Sequence, residues 1–175
     1  MCEKSDGQRV LVLIVVPPMT MVQEVYLIDR KNNYYRVYDL FFPHHDPNSP
    51  EAQQTGGQRN HTLLDGELVV DRIGPQQTKL RLLLFDCIVL EHISMAERPL
   101  SRRYGRLLDF VFPPYAKYLE HNKSAATSAP FEYVATWLAL FLTPAGSWSS
   151  QWTWRTESRQ SFGISSRPSS TIMTA

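Results

Sequence analysis

Lys4-Ser5-Asp6-Gly7-Gln8-Arg9 runs directly into Val10-Leu11-Val12-Leu13-Ile14-Val15-Val16, and the fold is read outward from this stretch. The apolar half is an almost unbroken run of β-branched residues and leucine. It predicts a strand covered on both faces, ended by Pro17-Pro18. The polar half is K-x-D-G-x-R. A lysine beside an acid and a glycine, with an arginine further on and a strand behind, can serve as a nucleophile toward a nucleotide α-phosphate. Taken alone, the same pattern also describes a solvated Asp-Gly turn feeding a strand.

Further along, residues 22–28 and 34–38 have strand character and flank residues 29–33, where Asn32-Asn33 can adopt the positive φ angles of a tight turn. Three antiparallel strands are therefore expected. Residues 43–60 are rich in Pro, Asn, Gln and Gly and read as a long surface loop. Strand character returns over 63–70, breaks at Gly74-Pro75 and resumes over 79–90, a second hairpin. Residues 100–112 carry Tyr104, Leu107, Leu108 and Phe110-Val111-Phe112 among arginines, which predicts a helix stopped by Pro113-Pro114. The fold class is α+β, with mainly antiparallel sheets and peripheral helices.

The bulk composition narrows the function classes. A chain of 175 residues, 43% hydrophobic, can bury one ordinary core. A net charge of +1 gives no basic face for tight nonspecific nucleic-acid binding, so any RNA contact is local. Cys2 and Cys87 lack a metal-ligand spacing and fit a reducing compartment. Charged Glu3, Lys4 and Asp6 precede the first apolar run, which argues against a secretory signal. The apolar segment 133–142 is far short of the ~20 residues that span a bilayer, so no membrane partner is expected.

Two later segments reinforce the first. Thr62-Leu63-Leu64-Asp65-Gly66-Glu67-Leu68-Val69-Val70 sets two acids about a glycine, and Leu82-Leu83-Leu84-Phe85-Asp86-Cys87-Ile88 closes an apolar strand on Phe-Asp. In this order the three segments resemble motifs I, III and IIIa of the covalent nucleotidyltransferases, which include mRNA capping enzymes and polynucleotide ligases. The resemblance, over roughly the first 130 residues, is closest to the fungal type of mRNA guanylyltransferase. It rests also on Tyr26-Leu27-Ile28-Asp29-Arg30-Lys31-Asn32-Asn33-Tyr34-Tyr35 and Phe42-Pro43.

The resemblance implies transfer of GMP from GTP, through a lysyl-GMP intermediate, to the 5′-diphosphate end of nascent mRNA. Lys4 is then the nucleophile. Its amine must be uncharged to attack, and at a free pKa of ~10.4 a nearby cation has to favour that form. Asp6 and Gly7 shape the turn presenting Lys4, with glycine permitting close approach. Arg9 contacts the nucleotide sugar. Arg30 lies near the phosphates as a fixed fork of donors, or else is a solvated residue at a hairpin turn. Glu67 serves the ribose or a divalent ion, Mg²⁺ or Mn²⁺, to which hard carboxylate oxygen is suited. Phe85 stacks on the purine. Asp65 reads equally as a turn acid, Asp86 stays unassigned, and Leu82 stands where relatives often carry Tyr.

Implied partners are GTP, 5′-diphosphate RNA, an RNA 5′-triphosphatase subunit and the phosphorylated C-terminal domain of RNA polymerase II, with a nuclear location. Residues 1–132 are expected to form a partial nucleotidyltransferase domain, and 133–175, with all four tryptophans and a Ser/Thr/Arg/Gln-rich end, an aberrant or disordered tail. Both ends look clipped against the family, so weak or absent activity is expected. The alternatives are an ATP-dependent polynucleotide ligase and a non-catalytic fragment that only binds. His44-His45-Asp46 reads as solvated rather than metal-binding, and Arg102, Arg103 and Arg106 as a basic helix face.

Overall fold

Alternation along β1 (Gln8–Val15) sets the architecture, because Val10, Val12 and Ile14 are buried while Leu11, Leu13 and Val15 remain half-buried. The computed structural model describes residues 7–72, 78–131 and 134–135, all within the unit Met1–Pro144. β1 pairs antiparallel with β2 (Glu24–Ile28) on one side and β4 (Thr62–Arg72) on the other. The described sheet runs β3 (Tyr34–Val37), β2, β1, β4, β5 (Thr78–Leu90), β6 (Ile93–Ser94), and β7 (Val134–Ala135) pairs in parallel with β5. This is the α+β, mainly antiparallel arrangement expected. Among the described residues one face of β1 is fully covered, by the helix layer, and the other partly, so the cover expected on both faces is uneven.

The β2–β3 hairpin is locked by Asp29, whose carboxylate accepts from the backbone N–H groups of Lys31 at 2.8 Å and Asn33 at 2.9 Å and from the Asn33 amide at 2.9 Å. These bonds hold the Asp29 carboxyl below its usual range. Of the Asn32-Asn33 pair, Asn32 alone takes positive φ, at 60°.

Residues 43–60 are not a surface loop. They contain α1 (Pro50–Gln54), capped by Ser49, whose hydroxyl accepts from Ala52 N–H at 3.1 Å. They also bury His44, Thr55, Arg59 and Asn60. Gln23 fastens the segment, its amide donating to the carbonyls of Phe42 at 2.8 Å and Arg59 at 2.7 Å and accepting from Phe42 N–H at 2.7 Å. Polar composition mimics a loop here because the burial is achieved by side-chain hydrogen bonds and ion pairs, which carry no hydrophobic period.

Pro113-Pro114 do not stop the helix either. α2 (Leu100–Arg106) passes through one wider π turn at Leu107–Val111, closed by Phe112 N–H on Leu107 O, into α3 (Phe112–His121) and then α4 (Lys123–Ser128). Pro113 and Pro114 fall in the first turn of α3, where a missing N–H is best tolerated. Pro114 cannot donate to Phe110 O four residues back, and the Arg59 guanidinium does so instead. Leu107, Val111 and Tyr115 then pack into the core with Val10, Val12, Leu64, Leu82 and Leu84. Tyr115 stacks on Phe42 at 5.3 Å between ring centroids.

Candidate functional site

The site is built where β1 crosses β4. Register pairs Arg9 with Glu67 and Leu11 with Asp65, so Arg9, Asp65 and Glu67 share the sheet face opposite Val10. Asp65 lies within β4, with its side chain 4% exposed, and is therefore no turn acid. It holds Arg9 by a two-pronged ion pair: Arg9 Nε donates to Asp65 Oδ1 at 3.0 Å and Nη2 to Oδ2. This pairing raises the Arg9 guanidinium above its ordinary value, chiefly through the hydrogen bond to Asp65. The guanidinium is thus oriented from below, while its side chain is 57% exposed to whatever lies above the sheet.

Gly7 enters the same crossing. A Cβ there would come within 2.5 Å of Glu67 Cγ and 2.6 Å of Leu68 O, so glycine is required by the approach of β4 rather than by a positive φ. Gly66 has a parallel constraint, since its Cβ would lie 2.7 Å from Leu83 O on β5. The β4–β5 register slips between Asp65 and Gly66, pairing Asp65 with Asp86 and Gly66 with Leu84, so Phe85 is the extra residue of a bulge. Bulges re-aim side chains at sites. Phe85, half-buried, lies level with Asp65 on the neighbouring strand.

Arg30 follows Ile28 in the β2–β3 turn and is exposed. The register pairs Ile28 with Leu11, which places Arg30 at the level of Arg9 along the sheet, just beyond the ladder's end. Lys4 and Asp6 lie outside the described residues. The structure therefore brings Gly7, Arg9, Glu67 and Phe85 to one sheet crossing, with Arg30 at the neighbouring turn.

Asp86 docks the helix layer. Arg103 Nε and Nη2 donate to its two oxygens, each at 2.8 Å, and Arg103 Nη1 reaches the carbonyls of Ala96 and Arg98 at 3.1 Å. The basic helix face is corrected accordingly: Arg103 is a packing residue, and Arg106 lies over the Phe110 ring at 4.8 Å. Cys87 is buried and its thiol is pushed up to about 12, chiefly by desolvation, which leaves it unreactive at neutral pH.

Sequence reading missed the Arg9–Asp65 pair, although a signal existed. Asp65 and Glu67 are two apart on a strand and so share a face. The solvated reading of His44-His45 is also corrected. Both rings meet the buried Glu91, His44 Nε2 at 3.2 Å and His45 Nδ1 at 2.8 Å, and Arg59 Nη1 meets its other oxygen at 2.8 Å. Glu91 is supplied from 46 or more residues away, so no local pattern announces the group.

Residues 1–140 match the family described as mRNA capping enzyme, catalytic domain. Among curated proteins, the chain is 40% identical over 132 residues to the mRNA-capping enzyme subunit alpha of Candida glabrata, covering 75% of this chain and 29% of that one. It is 37% identical to the Saccharomyces cerevisiae subunit (75% and 28% covered) and 35% identical to that of Schizosaccharomyces pombe (74% and 31%). The chain spans under a third of the length of these relatives. No helix among the described residues is long and apolar enough to cross a membrane.

Proposed function

This chain belongs to the mRNA capping enzyme family by its catalytic domain, and we propose that its residues serve guanylyl transfer to RNA. The Lys4 nitrogen attacks the α-phosphorus of GTP, forming a P–N bond as the bond to pyrophosphate breaks and the amine loses its proton. The terminal oxygen of a 5′-diphosphate RNA then attacks the same phosphorus, and the P–N bond breaks to return the lysine. Splitting one transfer into two displacements is covalent catalysis. The reading is supported above all by the pairing of β1 and β4, where Arg9, steadied by Asp65, and Glu67 face the same partly covered side of the sheet.

In this reading Arg9 holds the nucleotide sugar, Phe85 stacks on the purine, Arg30 meets the phosphates, and Asp6 and Gly7 set the course of the chain past Lys4. Glu67 suits Mg²⁺ or Mn²⁺, because its donor is a hard carboxylate. Such an ion would offset triphosphate charge and favour pyrophosphate departure. The partners are GTP, 5′-diphosphate RNA, an RNA 5′-triphosphatase subunit, in keeping with relatives named as subunits, and the phosphorylated tail of RNA polymerase II. The place of action is the nucleus.

Incubated with α-labelled GTP or ATP and run on a denaturing gel, the chain is expected to carry acid-labile label from GTP only, at low yield. Label from ATP instead would make it a polynucleotide ligase, and label from neither would leave a binding module. Asp65→Asn should raise the GTP concentration for half-maximal labelling about tenfold and leave the plateau unchanged. Freeing Arg9 removes binding shared by ground and transition states. A fallen plateau at unchanged half-saturation would contradict that role.

A further inference from the structure

His44, His45 and Glu91 stand apart from the β1–β4 crossing. Glu91 directly follows β5, six residues beyond Phe85, about 20 Å along an extended strand. Its surroundings are the helix layer and segment 43–60. Three potential ligand atoms, one from each residue, lie within 4.8 Å of one another. The His44 ring is 2% exposed and the Glu91 side chain 6%.

The placing of His44 decides what this cluster needs. Its Nδ1 is engaged on the far side of the ring by Asp46, whose carbonyl oxygen lies at 2.8 Å and whose N–H donates to it at 3.1 Å. Nε2 faces Glu91 Oε2 at 3.2 Å and is nonetheless buried without a hydrogen bond. A buried ring nitrogen and a buried carboxylate oxygen in that arrangement are both satisfied by a cation between them. Arg59 Nη1 lies 2.8 Å from the other oxygen, Oε1. The carboxylate is aimed inward from a backbone φ of 48°, a conformation costly for a non-glycine residue.

We propose that His44 Nε2, His45 Nδ1 and Glu91 Oε2 bind one divalent ion of the zinc class. Atoms held ~2.0–2.1 Å from a tetrahedral ion stand about 3.3 Å apart, close to the 3.2 Å between His44 Nε2 and Glu91 Oε2. The shorter His45 contact opens by rotation of a ring that is 31% exposed. Two imidazoles and one carboxylate suit zinc better than magnesium. The outer partners are those of a metal centre: Asp46 holds the far side of the His44 ring, and Arg59 pairs with the second oxygen of Glu91. A cavity of about 170 Å³ lined by His45, Glu91, Met95, Arg106 and Phe110 adjoins the cluster and leaves room for a fourth ligand. The ion clamps segment 43–60 to the end of β5.

The test uses the full chain, stripped with chelator and titrated with Zn²⁺. One ion per chain should bind at micromolar concentration and raise the melting temperature. His45→Gln, at a partly exposed ring that the fold tolerates, should weaken binding at least about tenfold and abolish the thermal shift. His92→Gln is the control. His92 and His61 stack at 3.8 Å, and His92 meets Glu51 at 3.0 Å, a histidine–carboxylate group outside the proposed site. Substoichiometric binding by the wild-type chain, or binding lost in His92→Gln and kept in His45→Gln, overturns the proposal.

Discussion

Lys4→Ala is expected to remove all covalent GMP from a chimera in which residues 1–132 of this chain replace the matching stretch of the Candida glabrata subunit. The effect should be complete rather than graded. Alanine offers no nitrogen for the P–N bond, whereas changes at residues that only hold GTP leave a residual rate. Lys4→Arg should be equally silent, because a guanidinium stays charged and its lone pairs are delocalised. The chimera supplies the rest of a capping subunit, so failure can be assigned to position 4. An adduct persisting in Lys4→Ala, mapped to another lysine, would remove the nucleophile from this motif.

Arg59→Met should be the most destabilising change among the described side chains, costing about 3–5 kcal/mol. Arg59 is fully buried, pairs in charge with Glu91 Oε1 at 2.8 Å and donates to Phe110 O, to which Pro114 cannot donate. Methionine fills similar volume but strands a buried carboxylate and a buried carbonyl. Thermal unfolding should fall by roughly 10 °C or more for a chain of this size. The double change Arg59→Met/Glu91→Gln should recover part of that loss, since no uncompensated charge remains. Equal melting temperatures for single variant and parent would show that the buried pair contributes nothing.

The elements with a strong hydrophobic period were legible from residues alone. Val10 to Val16, the Asn32 turn and the Leu-rich runs of β4 and β5 each declare a strand, and their order in the chain makes an antiparallel sheet. Of the residues singled out by local pattern, Gly7, Arg9, Glu67 and Phe85 lie together in the sheet, while Lys4 and Asp6 lie outside the described residues. What stayed hidden depends on distant partners. Arg9 sits 56 residues from Asp65, Arg59 is 51 from Phe110, and Glu91 is 46 and 47 from its two histidines. Periodicity reports which side of an element is apolar, and it is blind to a charge buried by an opposite charge. Pro113-Pro114 misled for a related reason, because the donor that lets the helix continue comes from another part of the chain.

The link from Arg59 to the carbonyl before Pro113-Pro114 also sets a timetable for synthesis. At about 5–20 residues per second, translation takes roughly 3–10 s to cover the 51 residues between them. For that interval the nascent chain carries a guanidinium and, later, the Glu91 carboxylate with neither yet enclosed. Segment 43–60 consequently completes its burial only once residue 110 has been made, later than the first hairpin.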